Sequence, residues 1–162
     1  MSVPPADRRT FPAERQAAIS PSHAAFVARL AGLVRQGGTV LDASRGAGPY
    51  RPALLAAGLT VTGVALRDLA TLPDRFDGLL CVDALAAVAP QDWPAVAAGL
   101  AAVLNDRAPA YLTVNLSGGA RDRDDPPRDQ LRRWLAAAGF AVTDEADADR
   151  YWHLLLARTT DR

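Results

Sequence analysis

Asp42 closes a short apolar run at the head of residues 40–48, Val-Leu-Asp-Ala-Ser-Arg-Gly-Ala-Gly. A carboxylate followed by small residues reads as a buried parallel strand feeding a turn. Ser44, Gly46 and Gly48 keep that turn open, so a ligand can approach its backbone. Asp83 ends a second apolar run at residues 78–82. Ligands of open α/β sheets bind beyond the carboxyl ends of strands, so Asp83 is a site candidate; it reads equally as a helix or loop cap. His23 and His153 are the chain's two histidines and candidates for proton transfer. Each also has a plainer reading, His23 on a helix packed against the sheet and His153 as a strand residue with a satisfied ring. Cys81 lies inside the second run and reads as a buried, inert thiol. Two histidines and one cysteine, scattered along the chain, compose no tetrahedral zinc site. A dinucleotide turn is excluded as well, because Gly46-Ala47-Gly48-Pro49-Tyr50-Arg51 lacks the third glycine.

The elements that must position these residues follow from periodicity and breakers. Residues 1–20 read as a loose tail and a short helix over 11–19 capped by Thr10, and residues 21–160 as one domain. Ser22 is the expected cap of a helix over 23–36, with Phe26, Val27, Leu30, Leu33 and Val34 on one inward stripe and Gly37-Gly38 as its stop. The turn after Asp42 leads into a helix over 49–58, stopped by Gly58. A β-branched strand follows at 59–64. Only eight steps then separate Asp68 from Phe76, too few for a helix and a strand with their turns. Strand 78–82 comes next, then a helix from Asp92, its expected cap, to about Leu104, burying Val96, Leu100, Val103 and Leu104. Strand 110–115 leads to a charged loop, expected to be solvated, and a helix over 126–138 stopped by Gly139. Strands at 140–143 and 151–158 close the chain. The fold class is therefore α/β, a doubly wound and mostly parallel sheet with an antiparallel pair at the C-terminus.

Residues 40–48 resemble the first motif of the class I S-adenosylmethionine-dependent methyltransferases, Val-Leu-Asp-x-Gly-x-Gly-x-Gly, with Ser44 in place of the first glycine. Further landmarks keep the family's order: Phe76-Asp77-Gly78 with Leu-Cys-Val-Asp-Ala ending at Ala84, Gln91-Asp92-Trp93-Pro94, Trp134-Leu135 with Ala-Gly-Phe140, and Tyr151-Trp152-His153-Leu154. The resemblance implies a Rossmann-like fold and S-adenosylmethionine as cofactor, with Asp42, Ser44, Gly46, Gly48 and Asp83 around it. It implies an N-terminal helix over the cofactor, where His23 and Phe26 stand. Three departures matter. The family's second strand ends in an acid that binds the ribose diol, and Ala65 occupies that position, with Asp68 three residues beyond. The helix and edge strand that usually follow, with the acidic loop that grips adenine, have no room. Asn115 also stands where relatives carry a glutamate. Since a hydrogen bond to a charged group contributes about 1.5–3 kcal/mol, the missing ribose acid alone lowers affinity roughly tenfold to a hundredfold.

Charge and composition narrow the partners. Eighteen basic residues, all arginine, balance eighteen acids in 162 residues, so no net field attracts nucleic acid or an anionic membrane surface. A hydrophobic content of 49% suffices for a core, without a run long enough to span a bilayer. The single cysteine permits no internal disulfide and fits the cytoplasm. The expectation is methyl transfer to a small molecule. Two alternatives stay open: a methyltransferase-like partner subunit, or a reshaped pocket for cyclisation, elimination or hydrolysis. A sheet that ends at its second strand also exposes an edge through which a homodimer or complex can form.

Overall fold

Every residue of strand β3 (Gly78–Cys81) is buried, and the sheet is built outward from it. In the structure, a computed structural model describing residues 20–44, 49–85, 88–115 and 128–159, six strands lie in the order β2-β1-β3-β4-β6-β5. The parallel part comprises β1 (Thr39–Asp42), β2 (Thr60–Gly63), β3 and β4 (Pro109–Asn115). The antiparallel strands β6 (Tyr151–Arg158) and β5 (Phe140–Ala148) complete it. This is the expected architecture. The expected gap is real too: between β2 and β3 stands one 3-10 turn, Leu66–Thr71, and β3 pairs directly with β1.

Alternation sorts the core into two halves. Val40, Leu80, Tyr111 and Leu155 face helices α1 (Pro21–Leu33) and α2 (Arg51–Ala56). Leu41, Leu79, Cys81, Leu112, Leu154 and Leu156 face α3 (Trp93–Ala102) and α4 (Arg128–Ala138). Cys81 is wholly buried, and burial pushes its thiol up to about 12, which leaves it inert at neutral pH.

Several boundaries differ from the sequence reading for local reasons. Ser20, not Ser22, caps α1, its Oγ accepting the His23 N–H at 3.1 Å, because Pro21 fits the first turn. The helix ends at Leu33, where Val34 turns extended, and Leu33 is 56% exposed rather than part of the inward stripe. Asp92 occupies the N-cap position of α3 without a capping hydrogen bond, since a 3-10 turn over Pro90–Asp92 already runs into the helix. Strand β5 extends to Ala148 instead of ending at Thr143. Its polar stretch pairs with β6 past a bulge and closes on a two-residue turn, Asp149-Arg150, both at positive φ. The expected helix at 11–19, the loop after Asn115 and the first two residues of the helix expected at 126–138 lie outside the described residues.

Candidate functional site

Three strand ends make the site. Asp42, at the end of β1, is buried, and its Oδ1 accepts the Ser44 N–H at 2.9 Å, a turn built by an aspartate on its own backbone. Ser44 in turn accepts the Val82 N–H at 2.9 Å, so its hydroxyl ties the end of β1 to the end of β3. Asp42, Ser44 and Ala65 all border one cleft of about 1330 Å³. Gly46 and Gly48 lie outside the described residues. Ala65 offers the cleft no side-chain acceptor; the neighbouring wall carries Leu66 and Arg67, while Asp68 is exposed and does not line it.

The cleft exceeds the usual span of about 300–1,000 Å³ for small-molecule pockets. From the strand ends it continues as a trough between the Leu66–Thr71 turn and α3, where Val96, Gly99 and Val103 line it. The sequence reading counted Val96 as core, yet it is only half-buried at this wall. Asp92, freed from capping, adds a carboxylate to the rim. Nothing local in the sequence distinguished that carboxylate from a helix cap.

A second group of side chains gathers beyond β3, on the α1 side of the sheet. Asp83 has φ +63°, a left-handed conformation that aspartate tolerates better than most residues. Its N–H donates to Thr113 Oγ1 at 3.0 Å, and its carboxylate accepts the Tyr151 hydroxyl at 2.9 and 3.0 Å. Asp83 does not line the large cleft, although its neighbour Ala84 does. Over this group sits His23, 4.6 Å edge-on from the Tyr151 ring and stacked on Tyr50 at 6.2 Å. Burial, then Asp83 and Asp42, push the Tyr50 hydroxyl up to about 12. Burial first, and His153 second, hold His23 below its ordinary value against the opposing pull of Asp83 and Asp149.

The two histidines are thus brought together, with ring centroids 4.9 Å apart, but in different settings. His153 is fully buried: its Nδ1 meets the Tyr111 hydroxyl at 2.6 Å and its Nε2 the Ala148 carbonyl at 3.0 Å. Phe26 stacks on it at 4.9 Å. Tyr50, Tyr151 and Tyr111 were not singled out as site candidates by sequence reasoning. A signal existed in the alternation of β6, which places Tyr151 and His153 on one face, and in the three-residue spacing of His23 and Phe26 on α1.

The order of six strands, with parallel β2-β1-β3-β4 and the reversed final pair, is that of the class I methyltransferase fold without its first edge strand. Solved structures agree. A magnesium protoporphyrin IX methyltransferase from Synechocystis PCC 6803 with bound SAM is 20% identical over 90% of this chain and 80% of its own, with TM-score 0.68. The 1,6-didemethyltoxoflavin-N1-methyltransferase from Burkholderia thailandensis is 19% identical, covering 99% of this chain and 92% of its own, with TM-score 0.63. An O-methyltransferase family protein from the same organism is 14% identical over 87% of this chain, with TM-score 0.67; the chain spans only 56% of its length. No family model matches the chain, and no curated protein matches it in sequence. Among the described residues no helix is long and apolar enough to cross a membrane.

Proposed function

We propose that this chain is an S-adenosylmethionine-dependent methyltransferase acting on a small molecule. The observation that carries the reading is the adjacency of two half-sites. An open cleft borders Asp42 and Ser44, and a group of aromatic and acidic side chains around Asp83 begins one residue beyond the Ser44–Val82 tie. The residues present fit a nucleoside sulfonium in room and in wall chemistry. Asp42 and Ser44 shape the turn for the amino-acid end, and Leu66, Val88 and Val96 offer apolar surface to a purine. The ribose finds no acid at Ala65. When bound, the cofactor supplies an electrophilic methyl group; the chain's part is to hold both reactants in line and to exclude water. The acceptor lies over Asp83 against His23, Tyr50 and Tyr151. Similar structures solved with SAM or S-adenosylhomocysteine, one also with a small-molecule acceptor, support this reading. The single buried thiol is consistent with a cytoplasmic protein.

Isothermal titration with S-adenosylhomocysteine tests it. The expected result is saturable binding, about tenfold to a hundredfold weaker than a ribose-binding carboxylate would give. No heat at millimolar ligand overturns the reading.

A second reading, a homodimeric or partner-bound protein joined through β2, rests on one observation. Thr60, Thr62 and Gly63 are exposed, and β2 pairs only with β1 among the described residues.

A further inference from the structure

The hydrogen bonds beneath His23 can be assigned by counting hydrogens, because one end of the chain of contacts is a carboxylate. Ser22 Oγ makes a short hydrogen bond to Asp149 Oδ2, an atom that only accepts, so the Ser22 hydroxyl hydrogen lies on that contact. Ser20 Oγ stands 3.1 Å from Ser22 Oγ and also helps hold the Asp149 carboxyl below its ordinary value, so its hydrogen turns toward that pair. Ser20 Oγ also lies 2.5 Å from His23 Nδ1, and with its own hydrogen committed, the hydrogen on that contact belongs to Nδ1.

Both hydroxyls are then filled. Ser20 accepts the His23 backbone N–H and Nδ1–H and donates once. Ser22 accepts from Ser20 and from His153 Nε2, which faces the Ala148 carbonyl and so carries a hydrogen, and donates to Asp149. The opposite His23 tautomer leaves two oxygens facing each other at 3.1 Å with no hydrogen between them. His23 Nε2 is thereby left with its lone pair, and no described residue hydrogen-bonds to it. The groups facing the ring are His153 and Tyr151 from β6, Tyr50 before α2, Asp83 after β3, and Asp149 from the β5–β6 turn.

We propose that His23 Nε2 accepts a proton from a bound small molecule carrying an acidic hydroxyl, phenolic or enolic, and that Ser20, Ser22 and Asp149 position the ring and stabilise the imidazolium. The proposal rests on reading this face as the acceptor side of the site. In the step, the O–H bond breaks, an N–H bond forms at Nε2, and the oxygen keeps the electron pair as the nucleophile. The proton later passes from Nε2 to water. The acidity of the hydroxyl follows from the kind of base: a neutral imidazole, with an ordinary pKa of about 6.5, takes a proton from a group near pKa about 10 far more readily than from an alkyl alcohol.

The test needs neither cofactor nor acceptor, so its failure is distinct from failure of the methyltransferase reading. The chain has only two histidines; both are buried, His23 at 4% exposure and His153 wholly, but His153 has both ring nitrogens hydrogen-bonded and only His23 keeps one without a described partner. Long-range ¹H–¹⁵N NMR of the histidine-labelled full chain is expected to show His23 protonated on Nδ1. Its titration is expected to move to lower pH in Asp149→Asn, because Asp149 favours the charged ring, and in Ser22→Ala, which removes the hydroxyl linking Ser20 to Asp149. Asparagine suits the positive φ of residue 149, so that variant keeps the turn. Diethyl pyrocarbonate, which attacks the neutral imidazole, is expected to modify one histidine, with the same shift in its pH profile. An Nε2–H tautomer, or a His23 titration that neither variant moves, overturns the proposal.

Discussion

At Ala65 the backbone is extended, with φ −83° and ψ 148°, and the residue borders the cleft. An aspartate there meets no left-handed strain and adds an acceptor for a vicinal diol. Ala65→Asp is expected to tighten S-adenosylhomocysteine roughly tenfold to a hundredfold, the inverse of the loss assigned to the missing acid. Calorimetry on both proteins checks it, and an unchanged affinity means that the ribose lies elsewhere. Asp42, Ser44 and Ala65 were legible as neighbours because each stands at a strand end, where a few consecutive residues determine position. The His23 relay was not legible. It joins Ser22 to Asp149, 127 positions away, through a hairpin turn that lacks the usual glycine or asparagine. Asp83, expected at the carboxyl end of a strand, follows β3 by two residues, and its left-handed backbone has no local signature.

The junction of α1 with β1 and β3 is held by Asp77 and by the absence of a side chain at Gly78. Asp77 accepts from the Thr39 N–H at 3.0 Å, Arg35 at 3.1 Å and Asn105 at 3.0 Å. Burial pushes its carboxyl upward, but these donors together hold it below the ordinary value. A folded-state pKa below that of the unfolded chain means stability that is complete above about pH 4 and lost as the pH falls through the folded value. Asp77→Asn is therefore expected to cost about 2 kcal/mol at pH 7 and much less near pH 3, read from urea midpoints. Two glycines should respond oppositely to alanine. At Gly78 a Cβ would meet Val34 at 2.6 Å, so Gly78→Ala is expected to destabilise by about 1–3 kcal/mol. At Gly99, within α3, a Cβ meets Leu69 at an ordinary 3.4 Å. Gly99→Ala is expected to stabilise by about 1 kcal/mol, a rise in Tm of roughly 2–4 °C. The helices and the buried strands behind these predictions were readable from periodicity. The length of β5 was not, because its charged sequence becomes a strand only through pairing with β6.

Across the whole molecule, the two edges of the sheet are managed differently. The outer strand β5 carries a bulge near Thr143 and charges engaged with neighbouring helices: Asp144 with Arg29, Glu145 with Arg132, and Asp147 with Arg128. These features discourage a further strand from adding there. Strand β2, at the other edge of the sheet and followed only by the Leu66–Thr71 turn before β3, has none of them. Its residues are Thr60, Val61, Thr62 and Gly63, with no charge and no bulge. A twofold partner offering the same strand would pair the two edges antiparallel and narrow the trough beside α3. The expected outcome is a homodimer by light scattering at tens of micromolar. Thr62→Lys is then expected to yield a folded monomer, since a lysine on each strand near the twofold axis sets like charges against each other. A wild-type monomer at that concentration assigns the edge to solvent and removes the basis of the partner-subunit reading. A dimer whose dissociation also weakens S-adenosylhomocysteine binding would mean that the second chain supplies part of the wall that this chain's short connection omits.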